Sequence, residues 1–122
     1  GIDIYMGVGG APEGVLAAAA LRCIGGQMQG RLVFRNDEER KRAVKLGVGD
    51  LSRKYDLGEM AKGEVMFAAT GVTDGSMLRG VRRANASVST ESLVMRSKTG
   101  TVRVISAEHN LTLKPVFEYN IR

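Results

Sequence analysis

The stretch Ile2-Asp3-Ile4-Tyr5-Met6-Gly7-Val8-Gly9-Gly10-Ala11-Pro12-Glu13-Gly14-Val15-Leu16 decides the fold, because its periodicity changes halfway along. Residues 2–8 are a short apolar run, β-branched at Ile2, Ile4 and Val8 and closed by glycines, and they predict a strand. Near-continuous apolarity predicts burial on both faces, as in an α/β sheet. Gly9-Gly10-Ala11 then reads as a turn, and Pro12 suits the first helical position, where its missing N–H costs nothing. Val15, Leu16, Ala19, Ala20, Cys23 and Ile24 fall on one helical face, and Gly25-Gly26 stops the helix. The expected opening is strand, glycine turn, helix.

Beyond that unit, residues 29–35 predict a short strand. Asn36 reads as the N-cap of a helix over residues 37–46, acidic at its start and basic at its end in the order the helix dipole favours. One helical turn is expected around residues 57–61, and residues 64–69 read as a second buried strand. Residues 87–96 and 101–106 predict a hairpin around Lys98-Thr99-Gly100. Pro115 marks the tail as loop or edge. No internal repeat or linker divides the chain, so residues 1–122 read as one α/β domain, or part of one. The chain has no initiator Met and opens directly on an apolar run, which points to a piece of a longer polypeptide.

The composition narrows the function classes. The 122 residues are 43% hydrophobic and 25% charged, ordinary values for a globular domain. No apolar run approaches the roughly eighteen residues of a membrane span, and no secretory signal opens the chain. A single cysteine rules out an internal disulfide framework and fits a reducing cytoplasm. The net charge is +5, which suits nucleic acid or a small anionic substrate. Aromatics are only 5% and Trp is absent, so the stacking platforms of a single-strand binder are missing.

Three groups of residues could carry chemistry. The first is Gly7 to Gly14, where a glycine turn meets a helix start. Backbone N–H groups there lack helical partners, so the turn reads equally as an anion cradle or as a tight turn without ligand. Within it, Glu13 is either a dipole-stabilising acid or a carboxylate ligand for a divalent ion. The motif is not a dinucleotide fingerprint, because Pro12 stands where glycine is required, and no Gly-Lys-Ser/Thr makes it a Walker loop. The second group is the loop Thr70 to Gly80, with Thr73 and Asp74 as candidates near a site or as parts of a hydrogen-bonded turn. The third is the basic set Arg79, Arg82, Arg83, Arg96, Lys98 and Arg103, either a solvated face or a second phosphate contact. Cys23 reads as core packing, and His109, without a Cys or His partner, as a surface residue.

The runs Asp3 to Gly14, Leu21 to Leu32, Val65 to Gly75 and Val94 to Arg103 closely resemble the GlpX-type class II fructose-1,6-bisphosphatases. The resemblance implies a layered α-β-α-β-α sugar-phosphatase fold, related to lithium-sensitive phosphatases, with a mixed sheet and flanking helices. It implies that Glu13 is a Mn2+ or Mg2+ ligand and that Gly10, with Gly9 beside it, contacts substrate. It also implies that the other metal carboxylates lie in an upstream region absent here, so that this chain alone is inactive. The expected reaction is hydrolysis of fructose 1,6-bisphosphate, with sedoheptulose 1,7-bisphosphate as a further substrate in some members. The implied partners are the sugar bisphosphate, the N-terminal region and further copies in a homo-oligomer, with no nucleic acid and no membrane. The alternative is a non-catalytic anion-binding or regulatory module.

Overall fold

The computed structural model describes residues 1 and 4–114, so Ile2 and Asp3 of the expected first strand, and Pro115 with the rest of the tail, lie outside the described residues. Residues 4–8 form no strand; they run as irregular, exposed chain. The physical reason is that no strand among the described residues lies beside them to supply ladder partners. Among the described residues, no backbone hydrogen bond joins residues 4–9 to another element.

Helix α1 spans Ala11–Cys23, with Pro12 in its first turn and Gly10 at the N-cap in an extended conformation. Its C-terminus closes through Gly25, at a positive φ of 73°, and through Gly26 N–H donating to the Leu21 carbonyl at 2.8 Å. This 6→1 bond with a left-handed glycine is the Schellman solution for orphan carbonyls. The buried stripe differs from the expected one. Ala18 and Cys23 are buried, whereas Val15, Leu16 and Ile24 are exposed. Small residues let the helix lie close on the sheet, and the larger apolar side chains face away from it.

A two-stranded antiparallel ribbon joins β1 (Gln29–Arg31) to β2 (Lys54–Asp56). Between them lies α2 (Asp37–Lys45), capped by Asn36, whose side chain accepts from the Glu39 amide at 2.9 Å. The strand expected at residues 29–35 stops at Arg31. Helix α3 (Leu57–Met60) starts in a capping box: the Asp56 side chain accepts from the Glu59 amide, and the Glu59 side chain accepts in return from the Asp56 amide.

The larger sheet is organised around β5 (Ser87–Arg96). Along one edge of β5 lie β3 (Met66–Thr70) and β4 (Arg82–Ala84) in succession; along the other runs β6 (Thr101–Asn110). The hairpin expected at residues 87–106 forms, with Gly100 at a φ of 60° in its turn, and it extends to Asn110. Every pairing among the described strands is antiparallel, so the mixed sheet expected from the resemblance is not seen within these residues. The domain is an α/β arrangement of antiparallel sheets with flanking helices.

Alternation along β5 and β3 explains the core. Leu93 and Met95 point to one face with their partners Ala69 and Phe67, and α1 lies over them. Cys23, Leu93 and Met95 form the buried centre, with Ala20, Val65, Phe67 and Leu78 packed around it. The Cys23 thiol donates to the Val65 carbonyl at 3.7 Å, a weak bond that ties helix to sheet. Strand β3 is alternately half-buried and exposed rather than buried throughout, because α1 covers only one of its faces.

Candidate functional site

The junction of residues 7–14 places Glu13 in the first turn of α1. No side chain caps this end of the helix. Gly14 N–H already donates to the Gly10 carbonyl at 3.0 Å, and Pro12 has no N–H. The amides of Ala11 and Glu13 are therefore the donors of this turn left without a partner among the described residues, at the positive end of the helix dipole. The Glu13 carboxylate folds back over Gly10. A methyl group on Gly10 would lie 3.1 Å from the carboxyl carbon and would collide with one of its oxygens. Gly9, Gly10 and Glu13 are all exposed. An acid and two amide donors thus share one open corner, a combination able to take a cation and an anionic oxygen together.

The loop between β3 and β4 holds Thr73 and Asp74. Asp74 does not merely begin a turn; its carboxylate clamps the loop shut. It accepts from the Gly80 amide at 2.8 Å and from the Arg82 guanidinium at 2.9 and 2.7 Å. The Arg82 bond first, and the Gly80 amide second, hold its pKa below the usual carboxylate value. Val81 N–H closes onto the Val72 carbonyl at 3.1 Å. The loop neck is so tight that a Cβ on Gly80 would sit 2.7 Å from the carbonyl carbon of Thr73. Thr73 is exposed beside it. No hydrogen bond or ion pair among the described residues links this loop to Glu13.

The basic set divides. Arg82 is committed to Asp74, while Arg96 and Lys98 both reach Glu64, at 3.7 and 2.7 Å. Glu64, Lys98, Ser97, Gly63 and Arg22 line an open depression of about 440 Å3. Arg22 lies nine residues after Glu13 on α1, so this depression is at the opposite end of the helix, roughly 13 Å along its axis. His109 is half-buried: one ring nitrogen is 3.0 Å from the Thr90 hydroxyl and the other accepts from Lys114 at 2.8 Å. The Asp74–Arg82 clamp and the Glu64 hub were not legible beforehand, since each joins residues that only the strand pairing brings together.

The family model described as bacterial fructose-1,6-bisphosphatase, glpX-encoded, matches residues 1–109. This chain belongs to that family. Two relatives named D-fructose 1,6-bisphosphatase class 2/sedoheptulose 1,7-bisphosphatase, from Synechococcus sp. strains JA-2-3B'a(2-13) and JA-3-3Ab, are each 43% identical over 122 residues, covering 89% of the chain. A relative of the same name from Synechococcus elongatus is 41% identical over 117 residues, covering 85%. The GlpX-type chain described here spans only 35% of the length of the first two and 34% of the third. The matched stretch is the C-terminal part of those proteins. Among the described residues, no helix is long and apolar enough to cross a membrane.

Proposed function

We propose that this chain is the part of a sugar-bisphosphate phosphatase that supplies one metal carboxylate, Glu13, and a phosphate-orienting turn, Gly9-Gly10. The observation that carries the reading is the exposed Glu13 carboxylate lying over Gly10 at an uncapped helix start, within a chain of the GlpX family. The relatives' names supply the substrate class: fructose 1,6-bisphosphate, with sedoheptulose 1,7-bisphosphate as a second member.

The donor chemistry fits a hard divalent ion, Mn2+ or Mg2+, which takes carboxylate oxygens. It fits as one ligand of several. Among the described residues, no group of three or more His, Cys, Asp or Glu side chains could hold a metal. Glu13 therefore shares the ion with groups outside the described residues, and this chain alone does not turn over substrate. When bound, the ion would neutralise charge developing on the phosphoryl group. The chain's own part is positional. The Ala11 and Glu13 amides orient a phosphate oxygen, and the absence of a side chain at Gly10 leaves room for the carboxylate and the ester together. On this reading the chain works in a reducing cytoplasm, which its single cysteine suits.

The test is Glu13→Gln in the complete polypeptide. Mn2+ affinity and phosphate release from fructose 1,6-bisphosphate should both fall, on the order of tenfold or more. Wild-type affinity and turnover would remove Glu13 from the metal site and leave a non-catalytic anion-binding module as the better reading.

A further inference from the structure

The depression at the far end of α1 is built from three separate stretches of chain. Arg22 comes from the last turn of the helix, Gly63 and Glu64 from the approach to β3, and Ser97 and Lys98 from the turn between β5 and β6. Its charges do not balance. Glu64 is the single acid on its wall, and it is shared by Lys98 at 2.7 Å and Arg96 at 3.7 Å. Arg22 is half-buried and forms no hydrogen bond or ion pair among the described residues. Its Nη1 lies against α3, 3.6 Å from where a Cβ on Gly58 would stand. The nearby Asp56 carboxylate, 3.4 Å from the same point, is engaged in capping α3. Three cations are thus set against one carboxylate. A guanidinium drawn partly out of water without a counter-ion costs free energy that a bound anion would offset.

The Ser97 hydroxyl adds a neutral donor held in place by the backbone. Its oxygen accepts from the Val65 amide at 2.8 Å, and the Ser97 amide donates to the Val65 carbonyl at 2.9 Å. The side chain is therefore fixed while its own proton stays uncommitted. The ion pairs of Glu64 join side chains between 44 and 59% accessible, so they contribute little and exchange readily for another anion.

We propose that this depression is a second anion site, one that takes the phosphate group of a small phosphomonoester lacking an aromatic ring. Arg22 and Lys98 supply the charge, the Ser97 hydroxyl donates to a phosphate oxygen, and Glu64 is the resident competitor that an incoming phosphate displaces. Size and lining set the ligand class. A hollow of about 440 Å3 is larger than bare phosphate requires and falls in the range of small-molecule pockets. No Phe, Tyr or Trp lines it, so nothing there stacks on a nucleobase. Nor is it the other half of the Glu13 corner. Nine helical residues, roughly 13 Å, separate the two, further than the two phosphates of one hexose bisphosphate lie apart. The site stands independently of the phosphatase reading.

The test follows backbone amide shifts of the isotope-labelled chain, in EDTA and at constant ionic strength, during separate titrations with glycerol 3-phosphate and inorganic phosphate. The Gly63, Glu64, Ser97 and Lys98 amides should move together and saturate, with glycerol 3-phosphate bound about twofold or more tighter than inorganic phosphate. Arg22→Ala should weaken binding about tenfold, and Glu64→Gln should tighten it about threefold. Lys41→Ala makes the same charge change as Arg22→Ala on exposed α2 and should leave the affinity within about twofold. Should Arg22→Ala fail to fold, Glu64→Gln decides, and unchanged or weaker binding in that variant would overturn the proposal. An equal loss in Lys41→Ala would reduce the site to diffuse charge and also overturn it. Equal affinity for the two probes would overturn the ester assignment. Shifts confined to residues 9–14 would place the anion at the Glu13 corner alone and overturn the second site. Glu13→Gln should leave the titration unchanged, so the metal reading and this one fail separately.

Discussion

Gly10→Ala separates the site from the fold. Gly10 sits at a φ of −65° and a ψ of 147°, an extended conformation open to any residue, so alanine brings no backbone strain. Two small stability effects then oppose each other. Alanine is a poorer N-cap than glycine, at a cost of roughly 0.5–1 kcal/mol. It also restricts the unfolded chain, a gain of about 0.4–1 kcal/mol. The net change should lie within about 0.5 kcal/mol. The new methyl group, however, lands where the Glu13 carboxylate lies, 3.1 Å from its carboxyl carbon and closer still to one oxygen. The obstacle is the end of a flexible side chain, so the fold accommodates it by turning Glu13 away. In the complete enzyme the carboxylate would have to be held against that methyl, and Mn2+ affinity should fall roughly tenfold. Urea unfolding of the 122-residue chain measures the first quantity, and Mn2+ titration of the complete enzyme the second. A loss above about 2 kcal/mol, or unchanged Mn2+ affinity, would refute the reasoning.

Three further outcomes are expected. Asp74 has a folded-state pKa below its unfolded value of 3.8, so its clamp stabilises above that pH and is lost as pH falls through the lower folded value; the protection of the Gly80 amide, taken relative to its intrinsic exchange rate at each pH, should be high near neutrality and fall well below pH 3.8, and Asp74→Asn should blunt that change. Leu93→Ala, removing a side chain that is 5% exposed in the centre of the core, should cost about 2–5 kcal/mol in urea unfolding. Asn36→Ala should cost about 1 kcal/mol and fray α2 first, seen as faster exchange of the Glu39 amide, which donates to the Asn36 side-chain oxygen at 2.9 Å.

Local signals carried well from sequence to structure, and long-range ones did not. The Asn36 cap, the Pro12 helix start and the Gly100 turn are written in a few adjacent residues, and each appears where expected. The short strands β2 and β4 were missed because three residues show no period. The Asn85 turn between β4 and β5, at a φ of 52°, is signalled by one residue alone, a weaker cue than a glycine. The stripe on α1 was misjudged for a physical reason: periodicity says which residues share a face, but not which of two apolar faces meets the sheet. The same ambiguity touches residues 4–8, whose strand-like composition is plain but which find no partner among the described residues. For the candidate site, the neighbourhood of Glu13 and Gly10 is readable because both lie in one short motif, while their roles in metal and substrate binding belong to the proposed function. The commitment of Asp74, Arg82 and Glu64 to internal pairs depends on strand register, which no local pattern records.

The lone thiol gives this molecule a built-in clock. Cys23 is 2% exposed and lies where α1 meets β5 and the Val65 carbonyl. With no other sulfhydryl to compete, the pace of alkylation by a small reagent counts how often the helix lifts from the sheet, at one atom and without a label. Slow modification reports a seam that stays shut, and acceleration by a remote substitution registers loosening there long before the whole chain melts.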